Sequence, residues 1–491
     1  MKMKNRNKLI ILITIAAIGF QSCNSFLELE PVSNSIAVNN NDSSAPAFNT
    51  ASEVEAALAG VYREFKNEYY QLDYFVNGDA QSDDAYAGGD NPSNFQIDDF
   101  TLDATNTNVS RDWAYLYSMI GISNAIINNT MEITDPELTE ARKTEIVGEA
   151  SFIRAFNYFQ LTQLWGDVPL LLDEVNSISA EILDDIFPIL FPPRSPQSDV
   201  YDQIIIDLET ARTSVNDNVI HKGYATTGAA NALLAKVYAT RVPQDWNKVE
   251  SYCEAVINGP YSLMPEFDDL WNNENENCAE SIYEINYSGG SNDGNWGVTI
   301  FRGLDWKKFN LPSNDLIKAF DDEGDIIRKE ASIIFEDVTG SWSDVHYPQT
   351  EYPFINKYRI FTGERDQNYI FIRLADIILL KAEALNEQND VQGAADLVNQ
   401  IRTRVQLADT PANDYASMKL AIEKERRLEL AYEGIRWFDL KRTGRAIEVM
   451  NQVIGADLLP IGYQLNSDKL LWPIPQSELD KNSKLEQNPG Y

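Results

Sequence analysis

Between Glu423 and Arg445 the chain reads EKERRLELAYEGIRWFDLKRTGR. Arg426, Glu429, Glu433 and Arg436 recur at helical spacing with each arginine beside a glutamate, and Asp439 and Arg442 add a pair three apart. Carboxylates set among guanidinium groups at that spacing could act as a catalytic cluster. The same segment carries one apolar stripe at Leu428, Ala431, Ile435 and Phe438, and a second at Leu430, Trp437 and Leu440. Charges wedged between two apolar stripes must pair, because a lone buried charge costs several kcal/mol (order of magnitude). The pattern therefore predicts an ion-paired buried helix, bent or capped at Gly434, rather than an active site.

Two other stretches suit ligand chemistry better. Gly78 to Thr107 is long, polar and marked by paired glycines; Ser288 to Ser313 is dense in Gly, Asn and Trp and lacks helical periodicity. Sugars present flat C–H faces and a ring of hydroxyls, so a matching surface needs aromatic platforms and planar polar partners. These stretches and their flanks supply Tyr74, Tyr86, Trp296, Trp306 and Trp342 for stacking, and Asp83, Asn94, Asn295 and Arg302 for hydrogen bonds. Trp296, between Gly294 and Gly297, and Trp306, next to Lys307 and Lys308, are the leading platforms. The aspartates of the first stretch do not keep the Asp-x-Asp-x-Asp-Gly spacing of an EF-hand, so they read as solvated turns rather than a metal site. No nucleophile elbow, P-loop, HExxH or CxxC occurs, and no cofactor is implied.

Composition narrows the classes further. The chain has 491 residues, 44% of them hydrophobic and 11% aromatic, which fits a large globular body. Its formal charge is −35, and the first 22 residues carry four cations and no acid. The remainder repels phosphate backbones, which excludes nucleic acid as a partner. Two histidines, His221 and His346, are too few for a histidine-rich metal site. Lys2 to Lys8 and the apolar run Leu9 to Phe20 form an export signal, too short to span a bilayer, which takes about twenty residues. Residues 23–50 read as a tether. Cys253 and Cys278 read as two buried free thiols.

The scaffold that must hold the two polar stretches is helical. Helices are predicted from Ser52, over Arg111 to Asn129, over Ile146 to Trp165 with a stop at Gly166, over Val200 to Arg212, and over Leu316 to Lys329. Thr226 to Thr240 with Asp245 to Asn258, and Ala375 to Glu387 with Gly393 to Val405, repeat a paired-helix pattern with small residues at the contacts, as in tetratricopeptide hairpins. Ser281 to Tyr287 has strand composition.

ERRLELAYEGIRWFDLKRTGR, the ending LWPIPQSELDKNSKLEQNPGY, the block GEASFIRAFNYFQLTQLWGDVPLL and the acidic element DDEGDIIRK resemble the SusD/RagB family of outer-membrane nutrient-binding lipoproteins. GFQSC resembles a lipoprotein processing site, which implies a lipid on Cys23. The resemblance implies a mostly α fold in which tetratricopeptide-like helix pairs form a scaffold, with long irregular loops and a few short strands. It divides the chain into a signal peptide (1–22), a tether (23–50), an N-terminal region (51–225), a helix pair (226–260) and a C-terminal region (261–491) that includes the helices of 373–405. It also implies a glycan or oligosaccharide ligand, a SusC-like TonB-dependent transporter as partner, a membrane anchor through lipid, and no enzymatic activity. An acidic glycan hydrolase and a helix-repeat scaffold without a small ligand are the competing readings.

Overall fold

The computed structural model describes residues 47–175, 183–302, 308–338, 345–360 and 363–491. Cys23, Trp306 and Trp342 lie outside them. Helix makes up 55% and strand 6%, so the fold is mostly α, as expected. The longer helices are α1 (Ala51–Glu64), α2 (Thr107–Asn129), α3 (Glu140–Trp165), α4 (Gln197–Ser214), α5 (Thr227–Thr240), α6 (Trp246–Ile257), α7 (Asn314–Glu323), α8 (Leu374–Glu387), α9 (Val391–Arg404), α10 (Tyr415–Glu429) and α11 (Arg436–Arg442).

Helix α3 is the spine. Thr139 caps its start by accepting from Arg142 N (3.2 Å), and from Gly148 to Trp165 every side is buried. Gly166 ends it at φ +75°, where a β-carbon is strained. α3 packs between α2 and α4, and Arg154 fastens all three: it reaches Asp207 on α4 (2.6 Å) and Asn124 on α2 (2.9 Å). From α4 the stack continues through α5 and α6. It then passes to α8, which packs on α6, α9 and α10, although α6 and α8 are more than a hundred residues apart in sequence. The two helix pairs expected from the repeat pattern are thus neighbours in space. Lys236 on α5 reaches Asp376 on α8 (2.5 Å), which closes the seam.

Among the described residues, three two-stranded antiparallel ribbons interrupt the helices. β1 (Ala85–Tyr86) pairs with β3 (Leu311–Pro312), β2 (Ser281–Ile285) with β6 (Tyr369–Arg373), and β4 (Ile333–Glu336) with β5 (Tyr352–Ile355). β6 runs straight into α8, so the strand and the second helix pair are one rigid element.

Some local expectations need correction. The single helix over Leu316 to Lys329 is two, because Gly324 (φ +71°) terminates α7 and Asp325 then caps a new turn by accepting from Arg328 N (3.1 Å). The segment Glu423 to Arg445 is likewise broken: α10 ends at Glu429, and Tyr432 and Gly434 take positive φ before α11 begins. The larger correction concerns Gly78 to Thr107. Gly78 to Gly89 is buried throughout rather than solvated. Ser288 to Ser313 also holds short helices, Gly290–Asp293 and Gly297–Arg302. Cys253 is buried, Cys278 is half-buried, and both are free.

Candidate functional site

The aspartates of Gly78 to Gly89 fold inward because the C-terminal helices offer them partners. Arg436 Nε donates to Asp83 Oδ1 (2.8 Å), and Arg427 reaches both Asp83 (3.1 Å) and Asp84 (2.8 Å). Burial pushes the Asp83 carboxyl up, but Arg427 and Arg436 outweigh it and hold it at about 2. Asp84 has less compensation, and burial leaves it raised to about 6. Asp79 accepts from Gly434 N (3.0 Å) and Asn310 Nδ2 (3.1 Å) and is raised by burial.

The pairs along Glu423 to Arg445 differ from those the spacing suggested, apart from Asp439 with Arg442 (2.8 Å). Arg426 binds Asp376 and Asp439 (2.8 Å each), Arg436 binds Asp83, and Glu433 takes Lys357 and Arg373 (2.7 Å each). Glu429 accepts from Arg373 (2.6 Å), Arg328 (3.1 Å) and Arg404. Burial alone would raise the Glu429 carboxyl; these three guanidinium groups hold it far below the usual carboxylate range. The motif is a charge-matched core, as its apolar flanks required, and its partners come from β6, α8, α9, the Asp83 turn, Arg328 and Lys357.

The structure does bring the two ligand-type stretches together. β1 and β3 pair in the register Ala85↔Pro312 and Tyr86↔Leu311. Ser313 donates its N–H to Asp84 O (3.0 Å) and its hydroxyl to Asp83 O (2.6 Å). Gly88 lies against Lys308, where an added β-carbon would stand 2.3 Å from the Lys308 carbonyl. At the other end, Gln71 Oε1 accepts from Trp296 N (2.8 Å) and Gly297 N (3.3 Å).

Within that junction most of the expected ligand residues are committed to the protein. Tyr74 and Tyr86 are core side chains, 5% and 0% exposed, and so are not open platforms. Tyr74 packs edge-on to Phe371, and Tyr86 hydrogen-bonds Ile454 O and Asn314 N. Asp83 is ion-paired as above, Asn94 accepts from Asn108 (2.7 Å), and Asn295 donates to Gln367 O (2.9 Å). Arg302 is buried over the Phe354 ring and paired with Glu336 (2.8 Å). These polar side chains build the junction from within; the composition of their loops marks them as polar but does not report burial.

Trp296 is different: it is half-buried, leaning on the core with part of its surface open. Sequence reasoning missed His346, whose imidazole stacks on Tyr86 at 4.0 Å between centroids and 11° between planes. Only a lone histidine between Val345 and Tyr347 marked it. The flanks of the two undescribed tryptophan segments converge on β5. Arg302 lies over Phe354, Lys308 Nζ lies 5.5 Å from the Tyr352 ring centroid, and Val338 packs in the same small cluster. The described flanks of residues 303–307 and 339–344 thus meet at this ribbon, the Tyr86–His346 stack borders the junction, and Trp296 sits at its other end beside Gln71.

The carboxylates nearest this junction are held by arginines, amides or backbone N–H groups. Among the described residues there is no cluster of three or more His, Cys, Asp or Glu side chains able to hold a metal ion, and no helix long and apolar enough to cross a membrane.

Comparison with known proteins agrees with the fold. A model of the SusD family matches residues 336–491, and one described as "Starch-binding associating with outer membrane" matches residues 25–239. SusD-like protein P2 of Formosa agariphila is 30% identical over 90% of this chain and 93% of its own. A SusD-like protein of Bacteroides ovatus is 27% identical over 90% of this chain and 83% of its own. A solved laminarin binding SusD-like protein superposes with a TM-score of 0.72 over 90% of this chain and all of its own, at 26% identity. A SusD superfamily protein of Bacteroides thetaiotaomicron reaches a TM-score of 0.75 at 22% identity, a likeness of fold. With a match of that identity along almost the entire length of both chains, this chain belongs to the SusD-like family.

Proposed function

We propose that this protein is a lipid-anchored outer-membrane protein that binds a glycan or oligosaccharide and delivers it to a SusC-like TonB-dependent transporter. The observation that carries the binding step is the junction of the two polar stretches. It puts the half-buried Trp296, and the half-buried His346 backed by the buried Tyr86 ring, on a scaffold immobilised by the Arg427, Arg436 and Asp83 pairs. Flat, rigid aromatic faces beside a polar rim suit pyranose rings. The laminarin binding relative and the starch-binding description of the N-terminal family model support the same ligand class.

Binding fits better than hydrolysis. A glycosidase needs two carboxylates at a fixed separation across an open site, whereas Asp79, Asp83 and Asp84 are buried within the body. On the composition of their segments, Trp306 and Trp342 are proposed as further platforms together with Trp296. The test is a glycan screen followed by calorimetric titration on the soluble form lacking Cys23. Trp296→Ala and Trp306→Ala should each weaken binding by about 1–3 kcal/mol. Normal binding by both variants, or release of shortened glycan products by the wild type, would overturn the reading. Recovery of a TonB-dependent barrel with the anchored protein from outer membranes tests the delivery step.

A further inference from the structure

A second cleft, of about 250 Å³, opens between the end of α1, the loop before α5 and the 286–293 segment. Gly223 makes it: its backbone presses on β2, with space for a β-carbon only 3.0 Å from the Glu284 carbonyl, and Glu284 N donates to Lys222 O (3.0 Å). That approach fixes His221 and Tyr224 side by side. Their rings lie 4.8 Å apart and 28° from parallel, and Tyr62 packs edge-on to Tyr224 at 4.8 Å. Tyr62 is locked in turn because its phenol oxygen accepts from Ala225 N (3.0 Å).

We propose that this cleft is a second saccharide site, selective for a sugar that carries a carboxylate or sulfate group. The Tyr224 and His221 rings supply the apolar wall that a pyranose face needs. His221 Nδ1 accepts from Gly223 N (3.2 Å), so the neutral ring presents its proton at Nε2 as a donor. Lys66 and Asp293, paired at 2.6 Å, offer a fixed donor and acceptor for neighbouring hydroxyls. The charge preference comes from Arg63, in the last turn of α1 and on the cleft wall. Its guanidinium makes no ion pair or hydrogen bond among the described residues, and a guanidinium fork fits a carboxylate or sulfate edge. The contrast with the larger groove between α7 and α10, about 480 Å³, is instructive. There Lys424 is paired with Glu323, Arg427 with Asp315, and Arg445 with Glu423 and Glu448, so no guanidinium or ammonium is left unmatched.

Gln71 bridges Lys66 O on the cleft wall and Trp296 N, so the cleft borders the Trp296 end of the junction, and the chain's two histidines report on different places: His221 in the cleft, His346 on Tyr86. The experiment uses the full chain in detergent with 13C-labelled histidine. It is titrated with a glucuronate-containing disaccharide, with its sulfated form, and with cellobiose as the neutral control. The acidic sugars should move the His221 signal saturably, at least tenfold more tightly than cellobiose. Arg63→Gln, an exposed substitution that leaves the core untouched, should weaken this binding at least tenfold. A His221 signal that no acidic sugar moves, equal response to cellobiose, or unchanged binding by Arg63→Gln each overturns the proposal. Movement of His346 alone also overturns it while leaving the glycan-binding reading intact. Movement of His221 with no glycan response at His346 supports this site and counts against a glycan contact at the Tyr86–His346 stack.

Discussion

The backbones of Gly78 and Gly434 touch. A β-carbon on Gly78 would stand 1.9 Å from the Gly434 carbonyl oxygen, and one on Gly434 would stand 2.4 Å from the Tyr74 ring. Gly434 N also donates to Asp79 (3.0 Å), so the start of the first polar stretch is seated directly on the C-terminal motif. Gly78→Ala should therefore destabilise the protein by about 3 kcal/mol, the upper range for overpacking, because both sides of the clash are backbone and neither can rotate away. Gly60→Ala is the control: it lies in α1 with nothing within 4 Å of the added carbon, and should be neutral or mildly stabilising. Denaturant melts of the two variants decide it; equal midpoints would mean that the contact is not maintained.

Glu433 sits between two buried cations. Its carboxylate accepts from Lys357 (2.7 Å) and takes two bonds from Arg373 (2.7 and 2.8 Å). Burial already pulls the Lys357 ammonium down to about 8 despite that carboxylate. Glu433→Ala leaves both cations underpaired in the core and should cost about 3–5 kcal/mol of stability. Glycan affinity per folded molecule should stay near the wild-type value, since the motif supports the junction without facing it. Lost binding with an unchanged melt would reassign Glu433 to the ligand.

Asp98 carries a pH signature. It accepts from Ala87 N (2.8 Å) and Tyr463 O–H (2.8 Å), and burial still lifts its carboxyl to about 7. The folded state thus holds a proton that the unfolded chain, at the ordinary carboxylate value, has released. Raising the pH from about 4 to 7 therefore favours unfolding through this group, by at most about 4 kcal/mol, and above 7 its contribution is constant. Asp83 acts in the opposite sense: held at about 2, it favours folding above the ordinary value and loses that contribution only as pH falls toward 2. Asp98→Asn should flatten the fall between pH 4 and 7. Parallel stability–pH curves for the variant and wild type would show that Asp98 is ionised in the fold.

Local pattern and long-range pairing were legible to different degrees. The all-round apolar run ending at Trp165, the glycine stop at Gly166 and the two helix pairs follow from periodicity, and each formed where the spacing placed it. Burial of the 423–445 charges was also legible, because apolar stripes on both sides leave no alternative. Their partners were not. Arg436 bypasses Glu433, three residues away, for Asp83, more than 350 residues upstream, a choice set by tertiary packing. The same blindness made the Asp-rich 78–89 segment look solvated and made Tyr74 and Tyr86 look available. Composition marks a polar segment, but whether it is wet depends on arginines elsewhere in the chain.

The anchor is the remaining step that sequence chemistry can test. Lys2, Lys4, Arg6 and Lys8 precede an apolar run that stops at Phe20, with Ser22 directly before Cys23. A run of that length suits an export signal and is short of the roughly twenty residues of a permanent span. Lipid on the Cys23 sulfur and amine would hold the body at the membrane through acyl chains, each buried CH₂ contributing about 0.8 kcal/mol, with residues 24–50 as the lead to α1. Cys23→Ala should therefore convert a detergent-phase protein into an aqueous-phase one of unchanged fold. Metabolic labelling with an alkyne fatty acid should mark the wild type alone. Unchanged detergent partitioning of the variant, with no label on the wild type, would remove the lipid anchor from the proposed function and leave the saccharide surface to be judged on its own titrations.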